Sequence, residues 1–358
     1  MPGPPASLSR LRARIDGALA TYLDEALPRI VALHEGLAPL AAELREFVVG
    51  GGKRVRPALL LTGYRAGGGP EVDLDDAMGP ALALELLHTC ALLHDDIIDA
   101  APTRRGRPTT HVTFAAAHRD AGWAGDADLH GAAVAILLGD LAFVQADELF
   151  LGARVPAERL LAGLRRFTLL REEVMAGQVV DLQAAASRTT SRELALAVAT
   201  YKSGRYSVAR PLEVGAVLAG ADDTLVAGLH AVGDPLGRAF QVRDDVLGVF
   251  GSDDETGKST IGDLVEGKRT LLVAETAARL DGDDLATFER LLGDPALDAA
   301  GAEVLRDLMR SSGGLVATEA FVEAEVAAAL GALDRLDVDD ESRATLAEMA
   351  AYLGDRSA

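Results

Sequence analysis

The sequence predicts an all-α fold, and three observations lead to that prediction. Apolar residues recur at spacings of three and four, which is the period of a helix with one buried face. The long apolar runs are rich in Ala and Leu and poor in alternating β-branched residues, so helix propensity agrees with that period. No segment has the alternation that would predict a convincing strand.

The predicted helices follow one another along the whole chain. The first carries an apolar stripe made of Leu8, Leu11, Ile15, Leu19, Tyr22 and Leu23. Later helical runs are AAVAILLGDLAFVQADELF, AERLLAGLRRFTLLREEVMAGQVVDLQ and ELALAVATYKSG. Glycine-rich and polar stretches at 50–52, 67–70, 122–128 and 251–263 predict the loops between helices. None of these loops resembles an interdomain linker, so we expect one domain spanning residues 1–358.

Composition excludes several classes of protein. The chain has 55 acidic and 35 basic residues and a net charge of −20, which opposes binding to nucleic acid. Its single cysteine, Cys90, excludes an internal disulfide and a thiolate metal cluster, and it favours a reducing compartment. No uninterrupted apolar run reaches about eighteen residues, and the N-terminus lacks the pattern of a signal peptide. We therefore expect a cytoplasmic protein without a membrane span.

The segment LLHDDIID places Asp95, Asp96 and Asp99 in an otherwise apolar helix. Asp95 and Asp99 are one turn apart and share a face, whereas Asp96 points about 100° away. Two carboxylates at this spacing can together bind a hard cation such as Mg²⁺. From these residues alone, a solvated helix end remains the alternative.

A second acidic pair, Asp244 and Asp245, ends the apolar run of AFQVRDDVLGVFG. Two such sites on facing helices of a bundle could hold several cations between them. Because Mg²⁺ usually takes its remaining ligands from water and substrate phosphates, the expected ligand is a phosphate or a diphosphate.

Basic residues recur beside these acids and beside glycine-rich loops. GGGKRVRP contains Lys53, Arg54 and Arg56, and RRGRP places Arg104 and Arg105 just after the first acidic segment. Backbone N–H groups and guanidinium forks of this kind bind anions. Further positive charge comes from Lys202, Lys258, Lys268 and Arg269. Any one cluster could instead be a surface face of ion pairs, and their repeated position beside acidic pairs favours anion binding.

Six motifs occur in one order along the chain: GGGKRVRP, HTCALLHDDIIDAAPTRRGRP, YKSGRYSVARPL, FQVRDDVLG, TGK and GDLVEGKRT. In this set the chain resembles the trans-isoprenyl diphosphate synthases, the polyprenyl synthetase family, most strongly over residues 40–275 and most like geranylgeranyl diphosphate synthases. The resemblance implies an isoprenoid synthase helical bundle with a central cavity for diphosphates and Mg²⁺. It also implies Mg²⁺-dependent, head-to-tail condensation of isopentenyl diphosphate with dimethylallyl, geranyl or farnesyl diphosphate, and a homodimer.

The resemblance assigns roles to individual residues. Three Mg²⁺ ions per active site are expected, with Asp95 and Asp99 binding two and Asp244 the third. Asp96, Asp245 and Asp263 would support the metal from the outer shell. Gln241 matches a position near the reacting allyl end, and Gln178 and Asp181 match a weaker motif. The departing diphosphate would accept the product's proton, so no protein base is expected.

The resemblance also implies two diphosphate sites. The isopentenyl diphosphate site would use Lys53, Arg56, His88 and Arg105, without metal. The allylic diphosphate site would use Arg104, Lys202, Lys258 and Lys268, with Gln241 beside it. Together with Asp95, Asp99 and Asp244, we expect Lys202 and Gln241 to be catalytic.

Product length is predicted from the turns that precede Asp95, because family members grow the prenyl tail along this helix. Cys90 and Ala91 are small and would let the tail pass, which leaves Leu87, Leu84 or Phe143 as the lower stop. A twenty-carbon product is therefore expected, with farnesyl or longer polyprenyl diphosphates as the alternatives. Close helix packing is another explanation of these small residues.

The chain departs from the family at Gly248, where a complete second DDxxD motif would have an aspartate. This departure is the only support for a non-catalytic regulatory subunit of a heteromeric synthase. A class I terpene cyclase shares DDxxD, but it needs a second metal motif built on Asn, Ser and Glu, which is not found downstream. The sequence does not decide the preferred acceptor, the downstream pathway or the interface residues.

Overall fold

The computed structural model describes residues 5–69, 72–251 and 261–354, and almost all of its regular structure is helical. Backbone contacts divide the chain into two compact units. The first unit comprises residues 6–61 and 72–160, and the second comprises residues 62–69 and the described residues from 161 onward, with residue 5. The prediction of a single domain spanning the whole chain stays a prediction.

The first unit contains most of the N-terminal helices. They are α1 (Ala6–Val31), α2 (Ala38–Val49), the first half of α3 (Val55–Gly68), α4 (Met78–Ile98), α5 (Thr110–Asp120) and α6 (Ala127–Leu151). Short 3₁₀ turns, Glu35–Leu37 and Leu74–Ala77, precede α2 and α4. The buried face of α1 includes Leu8, Ile15, Leu19 and Leu23, which confirms the predicted stripe.

Helix α4 is the centre of the first unit. Its segment from Pro80 to Leu87 is buried on every side, and the helix packs along α6, which also packs against α5. A helix that is apolar all round belongs in a core. This packing fixes the acidic end of α4 on a rigid element.

The second unit contains the remaining helices and one π-helix, Ala199–Ala209. Its α-helices are α7 (Ala157–Ser187), α8 (Arg192–Val198), α9 (Arg210–Ala219), α10 (Asp223–Phe250), α11 (Gly262–Glu266), α12 (Leu271–Ala277), α13 (Gly282–Leu291), α14 (Ala299–Ser311), α15 (Gly314–Leu333) and α16 (Asp340–Gly354). Helix α10 packs against the π-helix and α15, and buried residues of α10, α12, α13 and α14 form one apolar cluster.

Two local elements differ from the prediction. The expectation of no strand is wrong at RRGRP, where β1 (Thr103–Arg104) pairs antiparallel with β2 (Arg107–Pro108). The loop residues Arg105 and Gly106 both have positive φ, as a type I′ hairpin turn requires. Strands of two residues are too short to show a period, and the eleven residues of the π-helix are too few for apolar spacing to separate it from an ordinary helix.

One described helix, α6, is long and apolar enough to cross a membrane by length and composition, with a mean hydropathy of 1.6 in its most apolar window. Only 28% of that window is buried. A single helix of this kind is weak evidence for a membrane span.

Candidate active site

The first acidic segment lies where α4 ends. Ala100 has a φ of 49°, and the Ala101 N–H donates to the Asp96 carbonyl oxygen at 2.9 Å, which closes the helix in a Schellman turn. Asp95 therefore lies in the last turn, and Asp99 is the C-cap. Carboxylates are unfavourable at the negative end of a helix dipole, whereas cations are favourable there. This position is suited to acids that share a bound cation.

Asp96, the middle acid of the motif, is buried and paired with Arg104. Its side chain is 2% exposed and receives hydrogen bonds from Arg104 Nε, at 2.7 Å to Oδ1 and 2.9 Å to Oδ2. The β1–β2 hairpin turns the chain back after α4 and brings Arg104 onto Asp96. In this structure, the predicted outer-shell acid and the predicted diphosphate ligand therefore pair with each other.

The basic residues of the first unit surround His88. Lys53 is exposed, Arg56 is partly buried, and Arg105 Nη1 donates to the Gly51 carbonyl oxygen at 2.6 Å. Loss of solvation lowers the pKa of His88 well below its ordinary value, and the positive charges of Arg56, Arg104, Arg105 and Arg54 lower it further. The structure therefore places Arg56 and Arg105 near His88, with Lys53 exposed on the glycine-rich loop that Arg105 contacts. The joint use of these four residues to bind isopentenyl diphosphate stays a prediction.

The residue pattern grouped Arg54 with Lys53 and Arg56 for anion binding, and the family resemblance assigned it to neither diphosphate site. Its side chain is only 2% exposed, and it contacts Asp16, Glu85 and the Val48 carbonyl oxygen. Within GGGKRVRP, nothing in the residue pattern distinguishes an arginine that faces solvent from one that faces the core.

The turns of α4 before the acidic segment are tightly packed. Leu87 and Cys90 are buried, and Ala91 is partly buried. Burial, with a contribution from Asp140, raises the pKa of the Cys90 thiol to about 12. Cys90 Sγ lies 3.8 Å from His94 Nδ1, and His94 Nε2 lies 3.1 Å from the Ile136 carbonyl oxygen, so the pair faces α6.

The second acidic segment lies near the end of α10 in the second unit. Gln241 Nε2 donates to Asp245 Oδ1 at 2.7 Å, one turn along the helix. Desolvation, and then the neighbouring Asp263 carboxylate, raise the pKa of Asp245 to about 8. Lys268 Nζ binds Asp263 Oδ1 at 2.5 Å. Gln241, Asp245, Asp263 and Lys268 therefore form one cluster beside Asp244.

Gly248 has a structural explanation in the same cluster. A Cβ atom at this position would lie 2.2 Å from Asp263 Oδ2. The Asp263 carboxylate thus occupies the space that a side chain at position 248 would enter. In this chain Asp263 of α11 lies beside position 248, where the complete motif has an aspartate.

Lys202 lies on the π-helix between two other helices. A Cβ at Gly177 of α7 would lie 2.3 Å from the Lys202 backbone nitrogen, and one at Gly237 of α10 would lie 2.4 Å from the Gly204 carbonyl oxygen. Glycine at 177 and 237 permits this close packing. Lys202 Nζ donates to Asp181 Oδ2 at 2.5 Å, so the weaker motif on α7 contacts a predicted diphosphate ligand.

The predicted metal ligands are divided between the two units. Asp95 and Asp99 lie in the first and Asp244 in the second, so their joint use of Mg²⁺ stays a prediction. Among the described residues, no three His, Cys, Asp or Glu side chains are grouped closely enough to hold a metal ion by themselves. Lys258 lies outside the described residues.

Comparisons with known proteins agree on one family. The model of the polyprenyl synthetase family matches residues 38–308. A geranylfarnesyl diphosphate synthase from Natronomonas pharaonis is 31% identical over 86% of this chain and 87% of its own length. A (2E,6E)-farnesyl diphosphate synthase from Mycobacterium tuberculosis is 31% identical over 86% of this chain and 80% of its own.

The structural comparison covers nearly the whole chain. The crystal structure of a geranylgeranyl pyrophosphate synthase from Corynebacterium glutamicum, complexed with isoprenyl diphosphate and magnesium, is 34% identical with a TM-score of 0.94. The alignment covers 98% of this chain and 99% of that one. The three similar proteins are named for products of different length.

Proposed function

The chain belongs to the polyprenyl synthetase family and is a trans-prenyl diphosphate synthase, and from this premise we propose that its product is geranylgeranyl diphosphate. The reaction would join isopentenyl diphosphate head to tail to an allylic diphosphate and release inorganic diphosphate. Farnesyl and longer polyprenyl diphosphates are the alternative products. We further propose that the enzyme is cytoplasmic, which fits its single cysteine and its acidic charge.

The observation that carries the proposed reaction with isopentenyl diphosphate is the excess of positive charge around His88. The nearby arginines lower the pKa of His88, and burial together with Arg54 and Arg104 also lowers the pKa of Arg105. Cations that destabilise one another in this way are stabilised by an anion bound among them. A diphosphate bound without metal has the required charge, and neutral His88 can donate one hydrogen bond to it.

The acidic residues fit Mg²⁺ as the second component. Asp95 and Asp99 offer hard carboxylate oxygens at a helix C-terminus, and burial, followed by the nearby Asp263 carboxylate, raises the pKa of Asp245 in the other cluster. Asp95, Asp99 and Asp244 would hold Mg²⁺, and we expect three ions per active site. When bound, the metal would stabilise the negative charge that develops on the allylic diphosphate as its C–O bond breaks.

The remaining residues would bind and orient the allylic substrate. In this structure Lys202 forms an ion pair with Asp181, and Lys268 forms one with Asp263. Each lysine would turn its side chain from the carboxylate to a diphosphate oxygen when the substrate binds. Arg104, which is paired with Asp96, and Lys258 would also bind the allylic diphosphate. Gln241, fixed by Asp245, would lie near the reacting allyl end. The departing diphosphate would take the product's proton.

Two small side chains on α4 support the twenty-carbon product. Cys90 and Ala91 lie one to two turns before Asp95, on the element whose acidic end would hold the diphosphate. Bulky side chains there would stop the tail earlier, and Leu87, three and four residues before Cys90 and Ala91, is the next larger side chain on that face of the helix. Cys90→Phe should therefore shorten the product to farnesyl diphosphate, whereas Cys90→Ala should leave it unchanged.

We also propose that the enzyme is a homodimer and that the exposed face of α6 contributes to its interface. Leu137, Val144 and Leu151 are spaced by seven residues and are 58–63% exposed. A seven-residue apolar repeat is typical of a helix that packs along another helix. Helix α6 contains no Lys or Arg, which disfavours an anionic membrane surface as the partner.

Two measurements test this interface. Leu137→Glu combined with Val144→Glu should convert a dimer to a monomer in analytical ultracentrifugation. A wild type that is monomeric at micromolar concentration, or that floats with vesicles containing phosphatidylserine, would contradict the proposed interface.

The function is tested by incubating purified protein with labelled isopentenyl diphosphate, Mg²⁺ and, in turn, dimethylallyl, geranyl and farnesyl diphosphates. Incorporation should disappear with EDTA and in Asp95→Ala. Absence of incorporation with every acceptor would contradict an active synthase and favour the regulatory subunit. Release of a hydrocarbon without consumption of isopentenyl diphosphate would indicate a terpene cyclase.

A further inference from the structure

We propose that Arg54 is a positioning residue that holds the glycine-rich loop, residues 50–53, in the conformation that presents Lys53 and Arg56 to isopentenyl diphosphate. This inference rests on the proposed function. It assigns to Arg54 a role different from that of its two basic neighbours, which would contact the substrate.

The contacts of Arg54 reach three helices. Its Nε donates to Asp16 Oδ1 of α1 at 2.7 Å, and its Nη2 donates to the Val48 carbonyl oxygen of α2 at 2.7 Å. Its Nη1 donates to Glu85 Oε1 of α4. Only a planar guanidinium has donors in a fixed fork that can meet three such acceptors at once. One side chain therefore fixes the loop to α1, α2 and α4.

The backbone of this loop needs such an anchor. Arg54 has a φ of 49°, and Gly51 and Gly52 before it also have positive φ. The left-handed conformation is unfavourable for a residue with a Cβ, and it persists only where surrounding contacts hold it. The buried hydrogen bonds of Arg54 supply those contacts.

The charge balance separates anchoring from substrate binding. The Arg54 guanidinium faces two carboxylates, Asp16 and Glu85, and its side chain is 2% exposed. Two carboxylates and almost complete burial make this guanidinium a poorer ligand for a diphosphate than a cation that faces a single carboxylate. Lys53, by contrast, is exposed on the same loop.

Glu85 connects the anchor to the rest of the proposed site. It lies three residues before His88 on α4, so the two side chains share a face of the helix. Arg105 also binds the loop, through the Gly51 carbonyl oxygen. Displacing Arg54 should therefore shift Lys53 and Arg56 relative to His88, and small displacements of binding groups have large effects on transition-state stabilisation.

The test compares Arg54→Met and Arg54→Lys with Arg12→Met in steady-state kinetics with farnesyl diphosphate as acceptor. Arg12 is a matched control because its side chain is 44% exposed and its Nε lies 3.6 Å from Oδ2 of the same Asp16. Arg54→Met should raise the KM for isopentenyl diphosphate at least about tenfold and change the KM for farnesyl diphosphate less than about twofold. Arg54→Lys should be intermediate, and Arg12→Met should match the wild type.

Two outcomes would overturn the inference while leaving the proposed function intact: an active wild type whose Arg54→Met variant keeps its KM for isopentenyl diphosphate, or one in which both KM values rise equally. If Arg54→Met does not fold, Glu85→Gln is the second test, because it keeps the size of the side chain and a carbonyl acceptor but removes the negative charge that faces Arg54. Glu85→Gln should selectively raise the KM for isopentenyl diphosphate. An unchanged KM would overturn the inference. A wild type that makes no product with any acceptor would instead contradict the proposed function itself.

Discussion

Asp96 and Asp245 each directly follow a predicted metal ligand, yet their surroundings differ in charge. Asp96 faces the guanidinium of Arg104, whereas Asp245 accepts a hydrogen bond from the neutral amide of Gln241 and lies near the Asp263 carboxylate. One acid is therefore neutralised by a cation and the other by its own proton near neutral pH. The same DD dipeptide fixes an arginine of a hairpin in one unit and forms part of an acidic cluster in the other.

The largest expected effect comes from Asp96→Asn. This substitution removes the carboxylate from a pair whose side chains are 2% and 13% exposed and leaves Arg104 buried without a counterion. We expect the free energy of unfolding to fall by about 3 kcal/mol in urea titrations. The double variant Asp96→Asn/Arg104→Gln removes the uncompensated charge and should recover most of this loss. Equal stability of Asp96→Asn and wild type would show that the pair is not a structural anchor.

Asp245→Asn should stabilise the folded protein relative to wild type, and this gain should grow with pH. A carboxyl whose pKa is raised to about 8 in the folded protein binds its proton more tightly there than in the unfolded chain. Its contribution to stability is therefore complete below about pH 4, the unfolded pKa, and is lost as the pH rises through about 8. In EDTA, the melting temperature of Asp245→Asn minus that of wild type should increase between pH 5 and pH 8. A difference that does not change with pH would contradict the raised pKa.

A smaller effect is expected at Gly248, which lies next to the same acidic cluster. Gly248→Ala would place a Cβ 2.2 Å from Asp263 Oδ2, so the carboxylate held by Lys268 must move, and we expect a loss of about 1–3 kcal/mol in unfolding free energy. Gly262→Ala is the matched control, because a Cβ there has nothing within 4 Å. If both substitutions have the same effect, Asp263 is not packed against position 248.

The differing surroundings of Asp96 and Asp245 also show what could be predicted from sequence. The assignment of Lys53, Arg56, His88 and Arg105 to one substrate site stays a prediction, whereas the helical period identified the all-α class and the buried stripe of α1, and the order of the motifs identified the family. These features depend on residues close together in the chain or on a recurring pattern. Asp96 and Asp245 each follow an aspartate and precede two apolar residues, so the difference between their partners could not be predicted from local sequence.

What determines those states is tertiary packing. The partner of Asp96 arrives through a hairpin whose two-residue strands have no detectable period, and the neighbour of Asp245 comes from a separate short helix. The π-helix that carries Lys202 packs closely against Gly177 and Gly237, which a propensity scale treats only as weak helix positions. The burial of Arg54 among Asp16 and Glu85 is likewise invisible in GGGKRVRP.

Chromatography of the prenyl products tests the central claim most directly. The wild type is incubated with Mg²⁺, farnesyl diphosphate and an excess of isopentenyl diphosphate until the acceptor is consumed. We predict one product, the twenty-carbon geranylgeranyl diphosphate, whose amount becomes constant without conversion to longer chains. Accumulation of products beyond twenty carbons, or a wild type that stops at fifteen carbons when it starts from dimethylallyl diphosphate, would contradict the account.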